Sequence, residues 1–195
     1  MKLDVRLYAL IDIDSFTGTD PIAAARAVID GGVTLLQLRW KTGDDAEVVR
    51  LARDLVSACA GTGVPVLIND RVDVAREVEA DGIHLGQDDM AIADARAALG
   101  PSAVIGLTIK TANHVRDAPI GLIDYAAIGG VFATTTKDNP DPPVGLSGLT
   151  SLAADMRARR ADMPIAAIAG ITEAKAADVI AAGADGICVV SALFS

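Results

Sequence analysis

Cysteine, aromatic residues and basic charge are all scarce in this chain. Its 195 residues include two cysteines, Cys59 and Cys188, far apart and in no C-x-x-C or Cys/His spacing. That spacing argues against a disulfide framework and suits reduced thiols packed in a core. Aromatics make up 3%, and 17 Lys plus Arg face 26 Asp plus Glu, a formal charge of -9. A binder of nucleic acid or of anionic membranes needs a basic face to neutralise phosphates, so neither partner is expected, while small phosphorylated ligands remain open. No apolar run reaches the roughly 18 residues that span a bilayer, because Asp124 and Asp185 interrupt the longest candidates. The stretch Leu7 to Ile11 before Asp12 is too short for the apolar region of a signal peptide, so the expectation is a soluble cytoplasmic protein. Ser-His-Asp, H-E-x-x-H, P-loop and G-x-G-x-x-G patterns are absent, which leaves hydrolase, zinc and dinucleotide readings without support.

What the chain has in quantity is apolar residues, 51% of the total. At this length roughly 70% of the unfolded surface is buried on folding, enough for a core without staples. Short runs rich in Val, Ile and Leu alternate with Ala-rich segments of helical period, the signature of strands joined by crossover helices in a parallel sheet. Eight strands are expected, at about residues 7–12, 33–39, 64–69, 82–86, 103–108, 125–132, 164–169 and 186–190. Runs such as Val64-Pro65-Val66-Leu67-Ile68 and Ile165-Ala166-Ala167-Ile168 are apolar at every position, so both faces of the sheet should be covered. Glycines close several helices just before the next strand: Gly31-Gly32, Gly63, Gly100 and Gly183. A weak internal echo, Ala80-Asp81-Gly82-Ile83 and Ala184-Asp185-Gly186-Ile187, repeats the helix-to-strand turn. Repetition favours an α/β fold of the (β/α)8 TIM-barrel type over a doubly wound sheet, as a single domain spanning 1–195. The eighth strand runs into Ser191-Ala192-Leu193-Phe194-Ser195, so the barrel is expected to lack the helix after it. A bare apolar face would follow, and a second copy in a homo-oligomer is the expected cover.

In such a barrel the loops after the strands carry the chemistry. Those ends hold Asp12; Gln37, Arg39 and Lys41; Asn69, Asp70 and Arg71; His84, Gln87, Asp88 and Asp89; Thr108 and Lys110; Thr134, Thr135, Thr136 and Lys137; Gly170; and Ser191. Arg39, Lys41, Lys110 and Lys137 form a local basic excess in an acidic protein, and the carboxylates of Asp70 and Asp89 lie beside it. Phosphate plus Mg2+ accounts for both, since Mg2+ takes one or two protein carboxylates and completes its shell with water and phosphate oxygens. Taken singly, each Asp reads equally as a helix N-cap, and Arg39 and Lys41 as rim salt bridges. Gln37 shares a strand face with Arg39 and Lys41, and an amide inside an apolar barrel needs a hydrogen-bond partner. Gly170 and Ser191 follow the last two strands, where backbone N–H groups often meet a phosphate, although Gly170 reads as well as a turn glycine. His84, without a partner histidine, reads as a packing residue.

Five ordered motifs resemble thiamine phosphate synthases across nearly the whole chain: Gln37-Leu38-Arg39-Trp40-Lys41, Ile68-Asn69-Asp70-Arg71, His84 to Asp89, Val131 to Lys137, and Gly183 to Gly186. The resemblance implies a transferase that joins a hydroxymethylpyrimidine diphosphate to a thiazole phosphate with Mg2+, expelling pyrophosphate. It implies that Arg39, Lys41, Asn69 and Lys137 hold the diphosphate and that Asp70 and Asp89 ligate the metal. Gln37, Thr108, Thr134 and Thr136 would contact the pyrimidine or position the leaving group, and Gly170, Val190 and Ser191 would bind the thiazole phosphate. The implied chemistry is a dissociative displacement at the pyrimidine methylene that needs no protein nucleophile, with Arg39, Lys41 and Lys137 as the catalytic cations. The chain departs from the family pattern at Trp40, where an acid is usual, at Thr108 for Ser, at Lys110 near a frequent His, at Ala133 for Pro and at Ala169 for Gly. Two rival readings are a thiazole tautomerase-like homologue, which would need a His where Lys110 stands, and a catalytically impaired phosphate-binding barrel. A Schiff-base aldolase using Lys137 or Lys110 is a third.

Overall fold

A computed structural model describes residues 3–18, 20–134 and 142–194. Eight strands close on themselves in chain order, every neighbour parallel: β1 (Leu7–Asp12), β2 (Leu35–Arg39), β3 (Val66–Asn69), β4 (Gly82–Leu85), β5 (Val104–Ile109), β6 (Tyr125–Ile128), β7 (Ile165–Ile168) and β8 (Gly186–Val189). The crossovers are α1 (Pro21–Asp30), α2 (Asp45–Cys59), α3 (Val72–Glu77), α4 (Ile92–Leu99), α5 (Ala112–Asp117), α6 (Gly145–Arg159) and α7 (Glu173–Ala181). The alternation therefore forms the expected TIM barrel. Strand β6 stops at Ile128, short of the expected 132, because Val131 and Phe132 turn across the barrel end, their N–H groups donating to Ile168 O and Ala169 O. An apolar run looks the same whether it lies in the sheet or folds over its rim.

The expectation that no helix follows β8 is corrected in one respect: a single turn, α8 (Ser191–Phe194), forms there. Its Phe194 ring meets Phe16 edge-on at 6.0 Å, tying the end of the barrel to the loop after β1. The turn is too short to cover β8 as the other helices cover their strands, yet Leu7, Ile187, Leu193 and Phe194 are half-buried rather than bare. Among the described residues only Met90 and Ile180 are large, apolar and exposed.

Two apolar layers follow from the period of two along each strand. One face packs outward on the helices, for example Ile11, Leu36, Leu38, Ile68, Ile83 and Ile128. The other fills the barrel with Tyr8, Leu10, Leu35, Leu67, Tyr125, Ala127, Ala166 and Cys188. The barrel is this narrow because glycines stand where strands press together: a Cβ on Gly186 would lie 1.7 Å from Val5 O, and one on Gly82 1.9 Å from Val104 O.

The echo seen in the sequence has a structural cause at the N-terminal end of the barrel. Asp81, Asp124 and Asp185 each donate a backbone N–H to the carbonyl of Val66, Ile105 and Ile165, while each carboxylate accepts that same residue's N–H at 2.8 Å. Thr34 makes the equivalent clamp on Leu7 with its hydroxyl, at 3.1 Å. Every odd-numbered strand is thus fastened to the approach of the even-numbered strand that follows it.

Candidate active site

The inward-facing positions change character along strands β1 to β5. They are apolar at the N-terminal end and polar at the C-terminal end, where Asp12, Gln37, Arg39, Asn69, His84, Thr108 and Lys110 surround a cavity of about 200 Å³. The far wall is Gly129, Gly130, Thr134, Ile168 to Thr172 and Val189 to Ser191. A concavity of this size admits heterocyclic rings rather than a polymer segment.

Arg39 is set by Asp12, whose carboxylate accepts from the guanidinium at 2.7 Å with both side chains largely withdrawn from solvent. Asp14 accepts the Lys41 N–H at 2.8 Å and the Thr42 hydroxyl, bonds that hold its carboxyl below the usual range against the opposing effect of burial. Arg71 ties the same loop from the other side, donating to Gly43 O at 2.7 Å and pairing with Asp45 at 2.6 Å. Trp40 folds onto this loop, its ring so close to Gly43 that a Cβ there would lie 2.5 Å away. The residue in place of the usual acid is therefore a packing anchor.

Lys41 Nζ pairs with Asp70, and Asp70 shares a hydrogen bond with Asp89. Burial and that bond push the Asp70 carboxyl above its ordinary range. At Asp89 burial is outweighed by the bond from Asp70 and by the Gly86 N–H, which donates to Oδ2 at 2.6 Å, so its carboxyl is held below the ordinary range. Two carboxylates and an ammonium thus crowd one point of the rim. The described rim is not the basic excess expected from the sequence: beside Arg39, Lys41 and Lys110 stand four carboxylates, with Arg39 paired to Asp12 and Asp14 and Lys41 to Asp70. Among the described residues no group of three or more His, Cys, Asp or Glu side chains forms a metal cage. A hard oxygen pair with spare negative charge suits Mg2+, which keeps waters and substrate oxygens in most of its shell.

Of the expected site residues, Gln37, Arg39, Asn69, Thr108, Thr134, Gly170, Val190 and Ser191 line the cavity, and Lys41, Asp70 and Asp89 form the adjoining cluster. Thr136 and Lys137 lie outside the described residues. Gly170 has φ 65°, and a Cβ on it would lie 2.5 Å from Ala133 O, so the turn itself requires glycine. Sequence reasoning passed over Tyr8 and Tyr125 as site residues and read His84 as packing. The signal was there for Tyr8: it alternates with Leu10 and Asp12, so it faces the same interior.

A (β/α)8 barrel whose C-terminal mouth joins a carboxylate pair to basic side chains belongs to the enzymes that handle phosphorylated small molecules. A family profile described as thiamine monophosphate synthase matches residues 7–193. The thiamine-phosphate synthase of Agrobacterium fabrum is 49% identical over 194 residues, 99% of this chain and 88% of that protein. That of Chloroflexus aurantiacus is 41% identical over 191 residues, 98% of this chain and 86% of that protein. The solved thiamine phosphate pyrophosphorylase of Pyrococcus furiosus superposes with a TM-score of 0.84 at 29% identity, covering 99% of this chain and 89% of its own. The chain belongs to the thiamine monophosphate synthase family.

Proposed function

We propose that this chain, acting as a single domain, is a transferase that couples 4-amino-2-methyl-5-hydroxymethylpyrimidine diphosphate to a thiazole phosphate, giving thiamine phosphate and pyrophosphate. Its relatives are thiamine-phosphate synthases, and the observation that carries the reading to these residues is the Asp70–Asp89 pair with Lys41 at the lip of the cavity. Asp70 and Asp89 hold Mg2+, which when bound neutralises and orients a departing diphosphate. Arg39, Lys41, Asn69 and Lys137 take the diphosphate oxygens. Gln37, Thr108, Thr134 and Thr136 orient the pyrimidine, and Gly170, Val190 and Ser191 receive the thiazole phosphate. The protein supplies charge and position and no nucleophile: the carbon–oxygen bond to diphosphate breaks, and the thiazole nitrogen attacks the methylene held beside it.

The tautomerase-like and impaired-barrel readings have less behind them, since the matching relatives are named as synthases and Lys110 stands where the tautomerase needs a His. No helix of the described residues is long and apolar enough to cross a membrane, which agrees with work in the cytoplasm. Leu7 and Ile187, half-buried neighbours on β1 and β8, are where a second copy would pack in a homo-oligomer, and sedimentation as a stable monomer would remove that part of the reading.

The decisive experiment supplies both substrates with and without Mg2+ and measures thiamine phosphate and pyrophosphate. Formation of both, dependent on Mg2+, is expected, and absence of coupling at saturating substrates would overturn the reading. Lys137→Ala should lower turnover by about 100-fold or more while leaving the melting temperature in place.

A further inference from the structure

A line of polar groups crosses the barrel interior from β2 to β5, and its links share one polarity. Gln37 Nε2 donates to the Tyr8 hydroxyl. The Tyr8 and Tyr125 hydroxyls are 2.9 Å apart, Tyr125 Oη is 2.8 Å from His84 Nδ1, and His84 Nε2 is 2.9 Å from Thr108 Oγ1. Both tyrosines are fully enclosed, 1% and 0% exposed, and burial pushes both hydroxyls well above their ordinary range, so each keeps its single proton. Tyr8 receives a proton from Gln37 and must spend its own on Tyr125, and Tyr125 must spend its own on His84. Nδ1 of His84 then accepts, which directs the ring's other nitrogen, Nε2, to donate to Thr108 Oγ1.

No link can be reversed alone. Were His84 protonated on Nδ1 instead, Tyr125 would donate to Tyr8 and Tyr8 to the amide oxygen of Gln37, and the amide would have to turn over. The tautomer at one end and the amide orientation at the other are two readings of one chain. In the structure the remaining amide atom, Gln37 Oε1, is buried and has no hydrogen-bond partner among the described residues, although Gln37 lines the cavity. A buried carbonyl oxygen left in that condition is a binding site for a donor.

We propose that Tyr8, Tyr125 and His84 are positioning residues that lock the Gln37 amide with its carbonyl oxygen left for the ligand, so that the cavity accepts a pyrimidine edge carrying N–H and rejects one carrying C=O. The selectivity part rests on the reading above that Gln37 meets the pyrimidine. An amino group placed against Oε1 satisfies it, whereas an oxo group in the same place sets acceptor against acceptor, and the ring must shift to offer its neighbouring N–H.

The chain has two histidines, so 15N-histidine spectra of the unliganded protein, assigned with His114→Gln, report the His84 tautomer directly. An unprotonated Nδ1 beside a protonated Nε2 is expected, and the opposite tautomer would overturn the proposal. Affinities for the unreactive monophosphates of the 4-amino and 4-oxo pyrimidines then read the other end. Wild type should prefer the amino compound by about tenfold or more. Tyr125→Phe, which keeps the ring and removes one link, should cut that preference to about threefold or less, and Tyr8→Phe should do the same through a different link. Equal binding of both compounds by wild type, or an undiminished preference in both variants, would overturn the lock. The tautomer is measured with no ligand present, so its result stands apart from coupling activity, whose loss would instead count against the proposed reaction.

Discussion

Three residues other than glycine hold positive φ among those described, and two of them flank the site: Asp70 at 60° and Ala169 at 83°. Neither is an N-cap or a chance of loop geometry, since an L-residue gives up about 1–2 kcal/mol in that region. Ala169→Gly should return about 1 kcal/mol and raise the melting temperature by a few degrees, read by calorimetry. Asp70→Asn should separate stability from activity. The raised Asp70 carboxyl adds stability while it is protonated and loses it as pH rises through its folded value, so wild type falls behind the Asn variant on going from acid to neutral pH. Asn tolerates positive φ, and its amide can still donate to Asp89. The variant should therefore melt at or above the wild-type temperature at neutral pH while Mg2+-dependent pyrophosphate release falls by about 100-fold or more. The acid groups at this rim were legible in sequence because Asp70 and Asp89 end successive strand units with basic neighbours. Tyr125 was not, and Tyr8 only in its inward direction, because a buried aromatic on a strand reads as core until its hydroxyl partner, on a strand over a hundred residues away, is known.

The elements are held in order by the clamps at the starts of the strands. Replacing Asp185 by Ala leaves the Ile165 N–H without its acceptor at the half-buried rim and loosens Arg157, which pairs with that carboxylate at 2.9 Å. A loss of about 1–3 kcal/mol in denaturant unfolding is expected, most of it from the stranded N–H, because the Arg157 pair is largely exposed. Gly186→Ala should cost more, since the added methyl would meet backbone rather than a side chain that can turn aside. The strand count, the parallel order and the barrel were readable from the spacing of apolar runs and closing glycines. The Asp81 and Asp185 clamps showed as an echo because glycine follows both. The equivalent at Asp124 is followed by Tyr125, and at the first strand pair a threonine does the same work, so the four-fold device was visible only in part. The turn α8 was unreadable for a different reason, since one helical turn has no period.

At the scale of the molecule, charge sets the conditions for activity. A protein of -9 whose described rim pairs Arg39 and Lys41 with carboxylates has little to attract a diphosphate on its own. Chelation should therefore abolish coupling without unfolding the barrel, and Mg2+ alone should raise the melting temperature slightly, by mass action on the folded state. The Asp70→Asn variant should lack that upward shift, a comparison made by thermal scans with Mg2+ or a chelator.

The four clamps sit at the opposite end of the cylinder from the mouth that holds the candidate site, and this gives the fold a division of labour. Random substitutions should sort into two nearly independent classes, those near the clamps changing how much folded protein a cell accumulates and those near the mouth changing what each folded molecule does. A lineage under selection for a new phosphorylated substrate could rework one end of this barrel while its ability to fold was inherited from the other.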